Sequence, residues 1–424
     1  MNSFMDSVKH KIYHQVVTML LCVVAICFFS ACKDESKVEK SGNEVYAPSR
    51  TILVYFVAEN NLASSLVSDV NEMLAGMKTE GLWEGDRLVL YIDDLNLPRF
   101  YMIDRHTTAT TLSALEPVKT YDEEVNSSSA EQLAEALAFV KTNYPASSYG
   151  IVMGSHASGW IPSTFDGDYA QDAHARYSFG IDNGRNSASG SLNGNQMNIN
   201  NMARAIEEQG GVDFIFFDAC FMQNVEVAYE LRNAAKYILG SPAEIPGPGA
   251  YYQTMVPAMF QASNYAEEML TAYYDYYTAV RTDYGIIVSC VETAGMDRFA
   301  SYMKTTIANH RDEILAANYS TMQNYFRYGS WGSHIPDMYD MQGVMKQVLS
   351  KDEFEQWKEE AAQVMTCKHA DRWFSAFNRM LNSIDNEQCS GVTMFVPLSK
   401  YEGRTYRFNE SYLDSAWGRD VWSL

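Results

Sequence analysis

Two residues able to do covalent chemistry fall at matching places in the chain. Cys220 follows the apolar run Val212-Asp213-Phe214-Ile215-Phe216-Phe217-Asp218-Ala219, and His156 follows Tyr149-Gly150-Ile151-Val152-Met153-Gly154-Ser155. Each run has the length and apolarity of a strand buried on both faces. If the two are parallel neighbours, the thiol and the imidazole emerge at one sheet edge, where open α/β sheets carry their active sites. A thiol beside a base is the minimum apparatus for acyl transfer to cysteine: the imidazole takes the thiol proton and returns it to the leaving amine. The pattern points to a cysteine peptidase. Neither Ser155 nor Ser158 sits in the Gly-x-Ser-x-Gly frame of a serine nucleophile elbow, which disfavours a serine hydrolase.

The elements that must position these residues are legible as alternation of strand and helix. Thr51–Val57 and Arg87–Ile92 are strand-like, and Leu62–Met77 between them repeats apolar residues at helical spacing, which makes a βαβ unit. Tyr101-Met102-Ile103 adds an edge strand, and Ser127-Ser128-Ser129 opens a helix over Ala130–Thr142. Helices are expected at Asn198–Glu208 and Met222–Ala235, and strands at Tyr237–Gly240 and Ile286–Ser289. Alternation of this kind predicts an α/β fold, a mostly parallel sheet with helices on both faces. After Thr293 the pattern turns to amphipathic helices over Phe299–Asn318, Met341–Leu349 and Phe354–Met365, then a strand-like Gly391–Pro397. No linker-like composition intervenes, so residues 294–424 read as a mainly helical subdomain packed on a core of residues 50–293. The sequence contains no internal repeats.

The chain has 424 residues, 47% of them hydrophobic, and a formal charge of -21. That charge argues against nucleic-acid binding, which needs clustered Lys and Arg. Lys9, His10 and Lys11 precede an apolar stretch over Val16–Phe29, the pattern of a signal peptide spanning residues 1–31. Phe29-Ser30-Ala31-Cys32 resembles a bacterial lipobox, which predicts lipidation of Cys32 and a lipid-anchored place in the cell envelope, at the outer membrane and exposed on its surface. Residues 32–49 are polar and charged, a tether rather than a core. With Cys22 and Cys27 leaving in the signal, Cys220, Cys290, Cys367 and Cys389 remain, at spacings unlike those of a zinc site. Cys290 ends a buried strand, and Cys367 and Cys389 are either free or paired.

Four segments, Ala58-Glu59-Asn60-Asn61-Leu62, Gly154-Ser155-His156-Ala157-Ser158-Gly159-Trp160, Asp218-Ala219-Cys220-Phe221-Met222 and Glu244-Ile245-Pro246-Gly247-Pro248-Gly249, together resemble the clostripain family of cysteine peptidases, which groups with caspases, legumain and gingipains. The resemblance spans nearly the whole mature chain. It implies a caspase-like α/β/α sandwich with Cys220 as nucleophile, His156 as base, and the backbone N–H groups of Cys220 and Ala157 as oxyanion donors. Ala157 stands where the family usually has glycine. The resemblance also implies that Asp218 lines the pocket for the residue before the cleaved bond and selects Arg or Lys through a charge-assisted hydrogen bond. Relatives often carry a second acid where this chain has Pro248, and Glu244 is the candidate to replace it.

Activation by self-cleavage between histidine and cysteine is a further implication, with Arg176 and Arg185 as candidate sites in the polar stretch Ile161–Asn195. An uncleaved surface loop is the alternative. The chemistry requires no cofactor. Some relatives depend on calcium, and Asp166–Asp172 clusters carboxylates without the EF-hand order, so no ligands are assigned. His174 reads as solvent-facing. The aromatic clusters Tyr273-Tyr274-Asp275-Tyr276-Tyr277 and Tyr325-Phe326-Arg327-Tyr328 read as helix packing or as a peptide groove. Peptides or proteins are the expected substrates. Ala157 and Pro248 leave open a second reading, a lipoprotein that keeps the fold without activity and binds peptides or surface partners.

Overall fold

The computed structural model describes residues 49–161, 178–184, 194–325, 337–375, 380–402 and 408–423. Among these residues the strands are β1 (Arg50–Val57), β2 (Arg87–Asp93), β3 (Arg99–Ile103), β4 (Lys119–Thr120), β5 (Ser148–Gly154), β6 (Phe179–Asp182), β7 (Asn195–Met197) and β8 (Val212–Asp218). They continue with β9 (Ala235–Gly240), β10 (Ile287–Glu292), β11 (Tyr339–Asp340), β12 (Met365–His369), β13 (Arg372–Ser375), β14 (Met380–Ser383) and β15 (Thr393–Met394). One nine-stranded sheet runs in the order β12-β10-β9-β8-β5-β1-β2-β3-β4. Its five central strands are parallel, and the outer strands on both sides pair antiparallel. The remaining strands form three small two-stranded sheets.

Alternation along the central strands sorts their side chains onto two faces, because successive residues of a strand point to opposite sides. On β1, Leu53, Tyr55 and Val57 enter one core while Ile52, Val54 and Phe56 enter the other. β8 divides the same way, Ile215 and Phe217 against Phe214 and Phe216. Helices cover both faces. The helix Ala130–Asn143 presents Leu133, Ala136, Leu137 and Val140 at helical spacing to the first core, and starts where the Ser129 side chain accepts a hydrogen bond from Gln132 N. The helices Ala63–Gly76, Tyr252–Met259 and Tyr265–Asp275 cover the second. This is an α/β/α sandwich with a mostly parallel sheet.

Several elements differ from the periodicity of the sequence: the strand expected over Gly391–Pro397 is only Thr393–Met394, and the helix expected over Phe354–Met365 is Lys351–Ala361, with Met365 starting β12. The helix expected over Met222–Ala235 spans only Val225–Glu230, because the chain first makes a turn in which Phe221 takes a left-handed φ of 61° and Gln223 N donates to Ser241 O. The stretch expected as one helix to Asn318 is two, Met296–Asn309 and Arg311–Ala316, broken at His310. Residues 48–424 form one compact unit. Its last segments take part in the first core, where Phe395, Tyr412, Trp417 and Trp422 are buried in the same cluster as Phe217, and β12 completes one edge of the main sheet.

Candidate active site

β5 and β8 are adjacent and parallel, in register from Gly150 opposite Phe214 to Gly154 opposite Asp218. His156 and Cys220 each lie two residues beyond that last pair. Equal stagger past a shared register carries both residues off the carboxyl edge at the same height, on neighbouring strands.

The half-buried His156 ring is oriented from β1. Its Nε2 lies 2.6 Å from Asn61 Oδ1. An amide oxygen only accepts, so Nε2 carries the hydrogen and Nδ1 keeps the lone pair. Burial lowers the imidazole to about 4, which keeps it neutral near pH 7. The neighbouring Asn60 fixes this segment: its Nδ2 donates to Val57 O at 3.0 Å and to Ile181 O at 2.8 Å, while its Oδ1 accepts from Leu62 N at 2.9 Å. Ser155 Oγ donates to Val57 O at 2.8 Å, which ties the end of β5 to the end of β1. Sequence reasoning gave neither asparagine a role; the available signal was two consecutive amides directly after a buried strand.

Beyond the ring, Gly180 N donates to His156 O and Ser158 N donates to Ser178 O. This short ladder brackets Ala157, using the carbonyl of His156 before it and the N–H of Ser158 after it. Gly159 then takes a φ of +76°, and a Cβ there would stand 1.9 Å from Asn224 Oδ1. That oxygen accepts from Trp160 N at 3.1 Å, and Asn224 Nδ2 donates to Thr393 Oγ1 at 2.6 Å. Asn224, also missed from sequence, therefore clasps the histidine loop, the turn after Cys220 and the C-terminal part of the chain.

Cys220 is half-buried, and its Sγ accepts a hydrogen bond from Ile245 N at 3.3 Å. Burial pushes the thiol up to about 12; the negative charges of Glu244 and Asp218 add to this, and the Ile245 N–H opposes it. The resting pair is a neutral thiol and a neutral imidazole. Phe221 N donates to Ala243 O, so the strained residue after the thiol is tied to the same loop that supplies Ile245.

That loop also covers a group of acidic side chains. Asp218 caps no helix: its Oδ2 accepts from Tyr252 OH at 2.8 Å and Ala250 N at 3.2 Å, while its Oδ1 has no partner. A Cβ on Gly249 would meet Asp218 Oδ2 at 2.8 Å, so glycine at φ +66° leaves room for that oxygen and its two hydrogen bonds. Asp69 and Glu72, from the helix Ala63–Gly76, add their charge to the field around Asp218. Burial, then the neighbouring carboxylates, hold Asp69 well above the usual range, and burial raises Asp218. Glu72 Oε2 accepts from Tyr252 N at 3.0 Å. Among the described residues no Lys or Arg pairs with Asp218, Asp69 or Glu72. Asp69 was not singled out from the sequence, where it reads as one more polar position on a helix. Glu244 is buried beside the thiol. In the aromatic cluster, Tyr273 and Tyr277 are buried in the second core, and Tyr277 OH donates to Gly249 O at 2.7 Å.

None of Cys220, Cys290, Cys367 and Cys389 is disulfide-bonded, and Cys290 is buried. Cys32, Arg176, Arg185, His174 and the acidic stretch 166–172 lie outside the described residues.

The sequence model of the clostripain family matches residues 54–422. The chain belongs to the clostripain family. It is 26% identical over 255 residues to clostripain of Hathewaya histolytica, a match covering 52% of this chain and 44% of that protein, so the chain spans under half the length of that curated relative. Among solved structures, an inactive zymogen C11 protease from Parabacteroides distasonis is 26% identical with a TM-score of 0.72, covering 90% of this chain and 99% of the other. A secreted C11 cysteine protease from Bacteroides thetaiotaomicron, solved with an irreversible peptide inhibitor, is 25% identical with a TM-score of 0.68, covering 88% and 100%. Clostripain-family membership accords with the caspase-like sandwich described above.

Proposed function

We propose that this chain is a cysteine endopeptidase that cleaves peptides after Arg or Lys. The observation that carries the reading is the shared register of β5 and β8, which sets His156 and Cys220 at equal distances past Gly154 and Asp218. In the proposed reaction Sγ of Cys220 attacks the scissile carbonyl carbon as its proton passes to Nδ1 of His156, the nitrogen left free by the Nε2–Asn61 contact. The carbonyl oxygen becomes an oxyanion facing the N–H groups of Cys220 and Ala157. Collapse breaks the C–N bond, and the imidazolium gives its proton to the departing amine. Water, deprotonated by the same imidazole, then attacks the thioester and releases the acid and the free thiol.

The basic preference is supported by the Asp218 pocket, where buried carboxylates lie without a cation of the protein's own. A guanidinium or ammonium supplies the missing charge and draws the proton off the pocket. Asp69 joins Asp218 in this proposal, and stands in for the acid that Pro248 does not provide. Glu244 sits beside the thiol and contacts the substrate near the cleaved bond. Processing after Arg176 or Arg185, and anchoring to the envelope by a lipid on Cys32, belong to the same proposal, which agrees with the secretion of a relative from Bacteroides thetaiotaomicron.

The test is a set of reporter peptides with Arg, Lys or a neutral residue before the leaving group, offered to the full chain and to Cys220→Ala. Cleavage after Arg and Lys by the native chain alone is the expected result. Intact peptides throughout, together with failure of a thiol-directed peptide inhibitor to label Cys220, would leave a fold that binds peptides without cutting them. Separately, Cys32→Ser should move the protein from the membrane fraction to the soluble one.

A further inference from the structure

A second pair of thiols lies towards the same edge of the sheet, on the far side of β9 and β10 from Cys220, and takes no part in the chemistry proposed above. Cys367 on β12 pairs with Ser289 on β10, and Ser289 pairs with Gly240, the last residue of β9. Cys367 and His369 stand two apart on β12 and so share a face of the sheet. Cys389 meets both from the turn that follows β14. The two thiols are half-buried against Tyr325, Trp373 and Ile384. The Cys367 thiol donates to Cys389 Sγ, the His369 ring is hydrogen-bonded to the same sulfur, and Tyr325 OH lies 3.5 Å from it.

The surroundings hold this arrangement in place. Asp340 Oδ1 accepts from Ser390 N at 2.8 Å and Ser390 Oγ at 2.7 Å, and its Oδ2 accepts from Gly391 N and Tyr325 OH, each at 3.0 Å. One carboxylate thus fixes both the turn that carries Cys389 and the phenol beside it. Gly391 has a φ of +74°, and a Cβ there would stand 2.5 Å from Cys367 Sγ, so glycine makes the room in which the two thiols meet. His369 Nδ1 donates to Ala370 O at 2.9 Å, and the hydrogen bond to Cys389 raises the ring to about 9, which keeps it cationic near pH 7. The bond from Cys367 first, then His369 and Tyr325, hold Cys389 below the ordinary thiol range against the effect of burial. Its bond to Cys389, then burial, hold Cys367 above that range, and burial alone raises Cys290 before any nearby charge acts. One sulfur is prepared to attack and its neighbour is kept as a thiol.

We infer that Cys389 and Cys367 form a second reactive thiol site, which exchanges with low-molecular-weight disulfides and closes as a disulfide within the chain. Cys389 Sγ attacks one sulfur of the small disulfide, whose S–S bond breaks, and the departing thiolate takes a proton from solvent. Cys367 Sγ then attacks Cys389 Sγ. The mixed disulfide breaks as the new S–S bond forms, and the second small thiol leaves with the proton that Cys367 gives up. One small disulfide is reduced to two thiols while the two protein thiols are oxidised to one cystine. The closed bond spans the hairpin of β13 and β14 and ties its far end to β12. The site stands without the peptidase reading.

The test uses the full chain carrying Cys220→Ala, equilibrated in mixtures of reduced and oxidised glutathione, then alkylated and mapped by peptide mass. A Cys367–Cys389 link should form and reopen with the glutathione ratio, leaving Cys290 reduced, and should raise the thermal unfolding midpoint. At pH 6, Cys389 in the folded chain should react with iodoacetamide at least about 10-fold faster than in the urea-unfolded chain, and His369→Gln should shrink that advantage. With Cys367→Ser, glutathione should accumulate on Cys389; with Cys389→Ser, Cys367 should stay unmodified. No link at any glutathione ratio, glutathione carried by Cys367 in place of Cys389, or equal alkylation rates in folded and unfolded chains would overturn the assignment. The link and the alkylation rate are read with both thiols in place, so they decide the matter even where a serine variant does not fold.

Discussion

The availability of His156 for the proposed role of base is set by burial rather than by a charged partner. Its ring sits at about 4, against about 6.5 for a free imidazole, so it stays unprotonated through mildly acid conditions. As the pH falls through about 6.5 the unfolded chain takes up a proton at this ring and the fold does not. This residue therefore weakens the fold progressively between those two values, and a ring-proton NMR titration of the folded protein should show a midpoint near 4; one near 6.5 would contradict the burial argument. Asn61→Ala removes the acceptor that fixes the tautomer, and should lower kcat by up to about 100-fold with little change in KM. In the pocket, the raised carboxyls of Asp69 and Asp218 bind a cation best when ionised. KM for an arginyl peptide should therefore fall as the pH rises towards about 10, where Asp69 loses its proton. Asp218→Asn or Asp69→Asn should each cost about 10- to 100-fold in kcat/KM for Arg and Lys peptides while sparing neutral ones, as expected for hydrogen bonds between charged groups. Equal losses on all peptides would place the pocket elsewhere.

At the scale of elements, the site depends on strand ends being tied to one another. Asn224 joins Trp160 N to Thr393 and is almost fully buried, so Asn224→Ala should destabilise by about 1–3 kcal/mol in chemical denaturation. Gly159→Ala should cost at least as much, since its methyl would meet the Asn224 oxygen in a backbone conformation that already disfavours a side chain. The sheet itself was legible: apolar runs without alternation mark strands covered on both faces, and β1, β2, β5 and β8 lie within a residue or two of the runs that announce them. Helix lengths were less so. Nothing in the types of Phe221, Met222 and Gln223 forbids a helix, and it is the tertiary bonds to Ala243 and Ser241 that impose the turn. Cys220 and His156 could be named because they end such runs, while Asn61, Asp69 and Asn224 could not. Their roles come from partners 95, 149 and 169 positions away in the case of His156, Asp218 and Thr393, and one sequence carries no sign of those pairings.

At the scale of the whole molecule, the C-terminal residues are structural parts of the core. Trp160, in the histidine loop, packs against Phe395 at 4.9 Å and Tyr412 at 5.3 Å between ring centres, and Glu226 Oε1 accepts from Phe395 N at 2.8 Å. A chain cut after Gly391 loses these partners and should be recovered as aggregate rather than as a soluble, weakly active protein; sedimentation of the expressed fragment checks this. The same contacts carry a consequence for timing. Proteins are made from the amino end, so the rings that brace the histidine loop emerge more than 200 residues after it. Until they arrive, the loop bearing His156 is unbraced, and the strand ends stand without the rings that hold that loop in place.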